Sequence, residues 1–168
     1  GCLVGGIQTE DDDIRTGVIS SDGSKVMMVL ENAYLVSIDR ATQEVSHSIL
    51  PSAQMESYTY VNSDYLLSRD QLFYTFTMDG TVYFAHYTPG DESFQMLPLF
   101  LEADLPADAL FAECKVLAAT ESHAWVWANN GLLYEIDLAA HTFRTRYNWT
   151  PMSNPFEVLY RACIPRTP

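Results

Sequence analysis

Along this chain the apolar residues fall in short runs, rich in β-branched and aromatic types and separated by polar residues and turn formers. Such runs suit strands, whereas few windows sustain the i, i+3, i+4, i+7 spacing of an amphipathic helix. The pattern predicts an all-β protein. Val26 to Leu30 and Leu72 to Phe76 leave no clean polar face, which fits a strand covered on both sides by neighbouring sheets. Glu44 to Ile49 and Thr142 to Tyr147 instead alternate polar and apolar positions, as a half-exposed edge requires.

The runs recur as three units of one design. The first reads Val18 to Leu30, Glu31 to Asp39 and Glu44 to Ile49; the second Leu66 to Phe76, Asp79 to Tyr87 and Ser93 to Leu97; the third Leu117 to Trp127, Asn130 to Asp137 and Thr142 to Tyr147. Superposing Asp39, Tyr87 and Asp137 gives steps of 48 and 50 residues, in the range of propeller blades. Each unit predicts four strands: an opening strand, a very apolar second, a third after a tight turn, and a more polar outer one. Asp79-Gly80 and Asn130-Gly131 are dipeptides that accept positive φ in hairpin loops, and the first unit has Glu31-Asn32 without the glycine. One domain over 1–168 is expected, with blades over about 14–50, 56–98 and 109–150 and a closing strand over 155–164. The acidic, Pro-containing stretch Phe100 to Leu110 reads as a loop with one short helical turn.

The stretch Gly131-Leu-Leu-Tyr-Glu-Ile-Asp137, echoed by Ala33-Tyr-Leu-Val-Ser-Ile-Asp39, resembles β-propeller repeats of the quinoprotein-like and WD40-like kind over roughly residues 16–150. The resemblance implies a fold of about three four-stranded antiparallel blades, and it implies no particular activity, because propellers host many. The chain departs from the repeat where a glycine usually follows Asp-x-x-Thr: Asp39-Arg-Ala-Thr-Gln43 and Asp137-Leu-Ala-Ala-His141 lack it. No residues match a cofactor site, so no cofactor is expected. Three blades are fewer than the four to eight that close a propeller. The chain therefore reads as a partial propeller whose open ends need terminal strands (Ile14 to Ile19 and Phe156 to Ile164), self-association, or further blades.

Charge narrows the partners. Nine Lys and Arg against 22 Asp and Glu give a formal net charge of -13, which repels nucleic acid and anionic lipid. No run approaches the ~20 apolar residues of a membrane helix, so no integral membrane segment is expected. Cys2, Cys114 and Cys163 lack metal-site spacing; Cys114 and Cys163 read as buried thiols, with a mutual disulfide as the alternative. Gly1-Cys2 resembles the cleavage junction of a bacterial lipoprotein, against a plain chain boundary. A lipidated Cys2 would place the protein outside the cytoplasm.

No catalytic residue is assigned, since serine-nucleophile, phosphate-loop and metalloprotease motifs are all missing. Candidate ligand contacts are His86, placed by the superposition in the slot of Ile38 and Ile136, and Trp125 with Trp127, which share one strand face. For each the competing reading is core packing; Tyr58 and Tyr60 share that ambiguity. Glu10-Asp-Asp-Asp13 lacks the ladder of a calcium loop and reads as solvated, as does Asp91-Glu92, and no metal site is expected. Asn148-Trp-Thr150 is formally a glycosylation sequon. The expected function is a non-catalytic protein-interaction or scaffolding module engaging a protein partner or itself. The alternative is an exported lipoprotein or sensor domain binding a small ligand or carbohydrate.

Overall fold

A computed structural model describes residues 2–4, 7–9, 14–30, 33–56, 58–59, 64–90 and 93–148; for 2–4, 7–9, 58–59 and 147–148 it gives the backbone alone. Glu10 to Asp13, Tyr60, Asp91-Glu92, Cys163 and the expected closing strand over 155–164 lie outside these residues, as do Gly1 and most of the sequon.

A short hairpin, β1 (Cys2–Val4) with β2 (Ile7–Thr9), precedes three antiparallel sheets. The first sheet runs β3 (Ile14–Ile19), β4 (Lys25–Leu30), β5 (Tyr34–Asp39) and β6 (Val45–Ile49), in that order. In the second, the inner position is shared by β7 (Tyr58–Thr59) and β8 (Tyr65–Ser68), which pair with opposite ends of β9 (Gln71–Met78). Outward follow β10 (Thr81–Thr88) and β11 (Ser93–Leu101). The third runs β12 (Cys114–Ala119), β13 (His123–Ala128), β14 (Leu132–Asp137) and β15 (Thr142–Asn148). The chain is thus nearly all β, a propeller-like arrangement of three meandering blades. Ile14–Ile19 is the inner strand of the first sheet, inside the expected first blade over 14–50, and not a strand that covers an open end.

The sheets stack because their second strands are apolar on both faces. Leu72, Tyr74 and Phe76 of β9 look toward the first sheet and pack with Met27, Val29 and Leu35. Between them in sequence, Phe73 looks the other way, where it joins Val82 and Phe84 against Val116, Val126 and Ile136 of the third sheet. The middle sheet therefore carries two cores, one on each side. The acidic stretch after β11 holds a single 3-10 turn, Glu102–Asp104.

Polar contacts lock the turns that join inner to second strands along one rim. Asp70 accepts hydrogen bonds from the Ser21 amide (2.8 Å) and the Ser21 hydroxyl, tying the first sheet to the second. Its neighbour Arg69 donates to Glu121 at 2.5 Å, tying the second to the third. Deeper in, Asp64 Oδ2 accepts the Val116 amide at 2.7 Å. Equivalent turns of successive blades are thus chained in order.

The repeat also holds at backbone level, with one correction of register. Asp39 pairs with Lys25 and Asp137 with His123, each the first residue of its second strand, whereas Tyr87 pairs with Leu72, the second residue of β9. Thr88, not Tyr87, is the counterpart of the two aspartates, and both steps become 49 residues. Asp39 Oδ1 accepts the Ala41 and Thr42 amides, and Asp137 Oδ1 accepts those of Ala139 and Ala140. Where the usual glycine is absent, Gln43 and His141 hold positive φ (62° and 56°). The turn survives the substitution and the backbone carries the strain.

Candidate functional site

The register shift relocates His86. It pairs with Phe73 and stacks on that ring (centroids 4.8 Å apart), so it faces the third sheet, whereas Ile136 faces the second. The slot of Ile38 and Ile136 belongs to Tyr87; His86 corresponds to Ser37 and Glu135, which pair with Met27 and Trp125. This position is polar in all three blades. In the second, Nε2 of His86 lies 3.1 Å from Gln71 Oε1, and burial holds the imidazole below its ordinary pKa. A neutral ring donating to Gln71 satisfies both observations.

Trp125 and Trp127 share a face, and it is the one turned away from the second sheet, since the intervening Ala124, Val126 and Ala128 form the inter-sheet core. Trp127 is buried; Trp125 is half-buried, with His123 stacked 6.1 Å away. Directly opposite Trp125 stands Glu135, clasped by Arg144 (2.7 Å) and Arg146 of β15. The two guanidinium groups lower its carboxyl pKa to about 2. His86 and the tryptophans therefore lie on opposite sides of the third sheet and do not converge on one site. Cys114 is a free, buried thiol whose pKa burial raises.

A groove of about 450 Å³ lies between the first and second sheets. Its floor is Met27, Leu35 and Tyr87, all buried, and Ser46 and Ser48 of the outer strand β6 line its outer end. Asp22, Lys25 and Asp70 surround its mouth at the rim. Hydrogen bonds from the Ser24 amide and from the hydroxyls of Ser20 and Ser24 keep Asp22 ionised, with a pKa of about 2.

On the opposite rim the connection from β11 to β12 displays apolar side chains to solvent. Leu110 is 93% exposed, Leu101 50% and Phe111 45%. The loop beneath them is anchored: the Asn129 side-chain amide donates to the Phe111 carbonyl, Asn129 and Glu113 exchange bonds, the Glu102 backbone amide donates to the Gly80 carbonyl, and Ala112 is buried. Glu102, Asp104, Asp108 and Glu113 flank the apolar residues in sequence. Leu110-Phe111 gives no periodic signal, so the hydrophobic pattern passes over it; the only cue is an apolar pair inside an acidic, Pro-containing loop. Among the described residues no group of three or more His, Cys, Asp or Glu could hold a metal ion, and no helix is long and apolar enough to cross a membrane.

No protein-family model and no curated protein matches the chain. Thirty chains of solved structures do. One is a crystal structure of a protein from Lactobacillus plantarum, 20% identical, with a TM-score of 0.45 over 82% of this chain. The chain spans 42% of that protein's length.

Proposed function

We propose that this chain is a non-catalytic protein-interaction module, built from blades of the quinoprotein-like and WD40-like kind, which receives a partner on the rim around Leu101, Leu110 and Phe111. The observation that carries this reading is Leu110, almost wholly exposed on a loop pinned at both ends. Holding an apolar side chain out of the core forgoes about 1.5–3 kcal/mol of burial, which a partner covering it recovers. Because hydrogen bonds anchor the loop at both ends, binding has less conformational freedom to remove than in an untethered loop. The flanking carboxylates and the net charge of -13 favour a partner whose apolar contact residues are bordered by Lys or Arg.

Selection of a random peptide library displayed on phage tests the reading. The chain is expected to enrich sequences combining Leu, Phe or Trp with basic residues, and a Leu110→Ser, Phe111→Ser double variant with unchanged circular dichroism is expected to lose that enrichment. Equal enrichment by the double variant, or none by either protein, would overturn the rim assignment.

A further inference from the structure

We propose that β6, the outer edge of the first sheet, accepts an extended peptide segment as an added antiparallel strand, which places apolar side chains in the groove between the first and second sheets. This deepens the reading of an interaction module and rests on it, but uses a surface separate from the Leu110 rim. The three outer edges differ in how they are guarded. β11 carries Pro98 beside a bulge, and β15 carries Arg144 and Arg146; proline, bulges and charges are the devices by which natural edges avoid pairing with other chains. β6 reads Val-Ser-His-Ser-Ile, with no proline and no formal charge, and among the described residues it pairs only with β5.

The pairing parity shows what this edge offers. Asp39 donates to the Glu44 carbonyl and Leu50 to the Ala33 carbonyl, so the β5-facing rungs are Glu44, Ser46, Ser48 and Leu50. The amides and carbonyls of Val45, His47 and Ile49 therefore point away from β5. Ser46, His47 and Ser48 are exposed and Ile49 is 42% exposed. In an added antiparallel strand, the residues opposite Ser46 and Ser48 form the closely spaced, non-hydrogen-bonded pairs. These two serines line the outer end of the groove floored by Met27, Leu35 and Tyr87, and their small side chains leave the room there to the incoming residue. Main-chain bonds would supply affinity and the groove selectivity, the division of labour seen in strand addition. At the mouth the two carboxylates of Asp22 and Asp70 outnumber the one cation, Lys25, and disfavour an acidic segment.

Fluorescence anisotropy with labelled peptides of about seven residues, alternating Thr and Val, with Lys at both ends and Leu, Phe or Glu at the centre, tests this. Saturable binding is expected for the Leu and Phe peptides and binding weaker by about tenfold or more for Glu. N-methylation of the peptide's alternate amides is expected to weaken binding by at least about tenfold. His47→Pro should do the same, because it removes an outward N–H while leaving the β5 rungs intact; should it fail to fold, Val45→Lys with Ile49→Lys guards the edge instead. The Leu110→Ser, Phe111→Ser variant should bind these peptides unchanged. Indifference to N-methylation, or no saturable binding by any peptide, overturns strand addition while leaving the rim proposal standing. Binding abolished in the rim variant alone assigns the peptides to the rim and overturns the edge.

Discussion

At the scale of single residues, the turns show where local sequence and the repeat disagree and which of them prevails. Gln43 and His141 adopt the left-handed backbone that a glycine supplies in the repeat, and Arg69 with Asp70 form a two-residue turn with φ of 52° and 62° and no glycine at all. A left-handed residue with a side chain costs about 1–2 kcal/mol, so the rest of each blade must impose the conformation. The aspartate that heads the turn supplies part of this, accepting two backbone amides at both Asp39 and Asp137. Accordingly, Gln43→Gly is expected to leave stability within about 1 kcal/mol of the parent, its relief of strain set against greater freedom of the unfolded chain. Gln43→Val, β-branched at positive φ, is expected to cost about 1–2 kcal/mol. Urea unfolding of the two variants measures this; a valine variant as stable as the glycine one would remove strain from the account. The aspartates and missing glycines are visible in the sequence, but the retention of the turn is not, because the tertiary context enforces it.

At the scale of elements, the second strands were the most legible, since a short aromatic and β-branched run with no polar face fits a strand covered on both sides, and β9 is buried without break from Leu72 to Phe76, Thr75 included. That same property conceals register. When both faces are apolar, a slip of one residue leaves the pattern almost unchanged while sending each side chain to the opposite sheet, and this is how Tyr87 takes the slot otherwise given to His86. The blade's own pairing settles it, through Leu72 opposite Tyr87 and Phe73 opposite His86. The outer face of the third sheet was less legible still, because its character depends on a cross-strand clasp, Glu135 on β14 held by Arg144 and Arg146 on β15. The folded-state pKa of Glu135 is about 2, depressed from the ordinary 4.5, so its contribution to stability is present above pH 4.5 and is lost as pH falls toward 2. Glu135→Gln should thus lower the urea midpoint at pH 7, with the gap to the parent closing between about pH 4.5 and 2. A gap that stays constant over that range would show that the ionised carboxylate is not what joins β14 to β15.

At the scale of the whole molecule, the stack is a line of three sheets in which the middle one shares a core with each neighbour and the outer two each share one. Stability in such an array is roughly a sum over sheets and nearest-neighbour interfaces, so the two cores should fail separately. Leu72 is fully buried and looks only toward the first sheet; its truncation to Ala should cost about 2–5 kcal/mol, nearly all of it at that interface. Native-state hydrogen exchange then has a directional expectation. The slowest amides lie in β9 and β10, and Leu72→Ala accelerates exchange in β4 and β5 while β13 and β14, packed through Val126 and Ile136 against Phe73 and Phe84, keep their protection. Val126→Ala should produce the mirror image. The chained rim contacts, Ser21 with Asp70 and Arg69 with Glu121, argue the other way, because each couples an outer sheet to adjacent residues of one turn. If Leu72→Ala speeds exchange equally in all three sheets, that coupling dominates and the stack opens as a single unit. If acceleration stops at the middle sheet, the apolar interfaces set the order of opening, and the first sheet, with its unguarded edge at β6, is an independently releasable element.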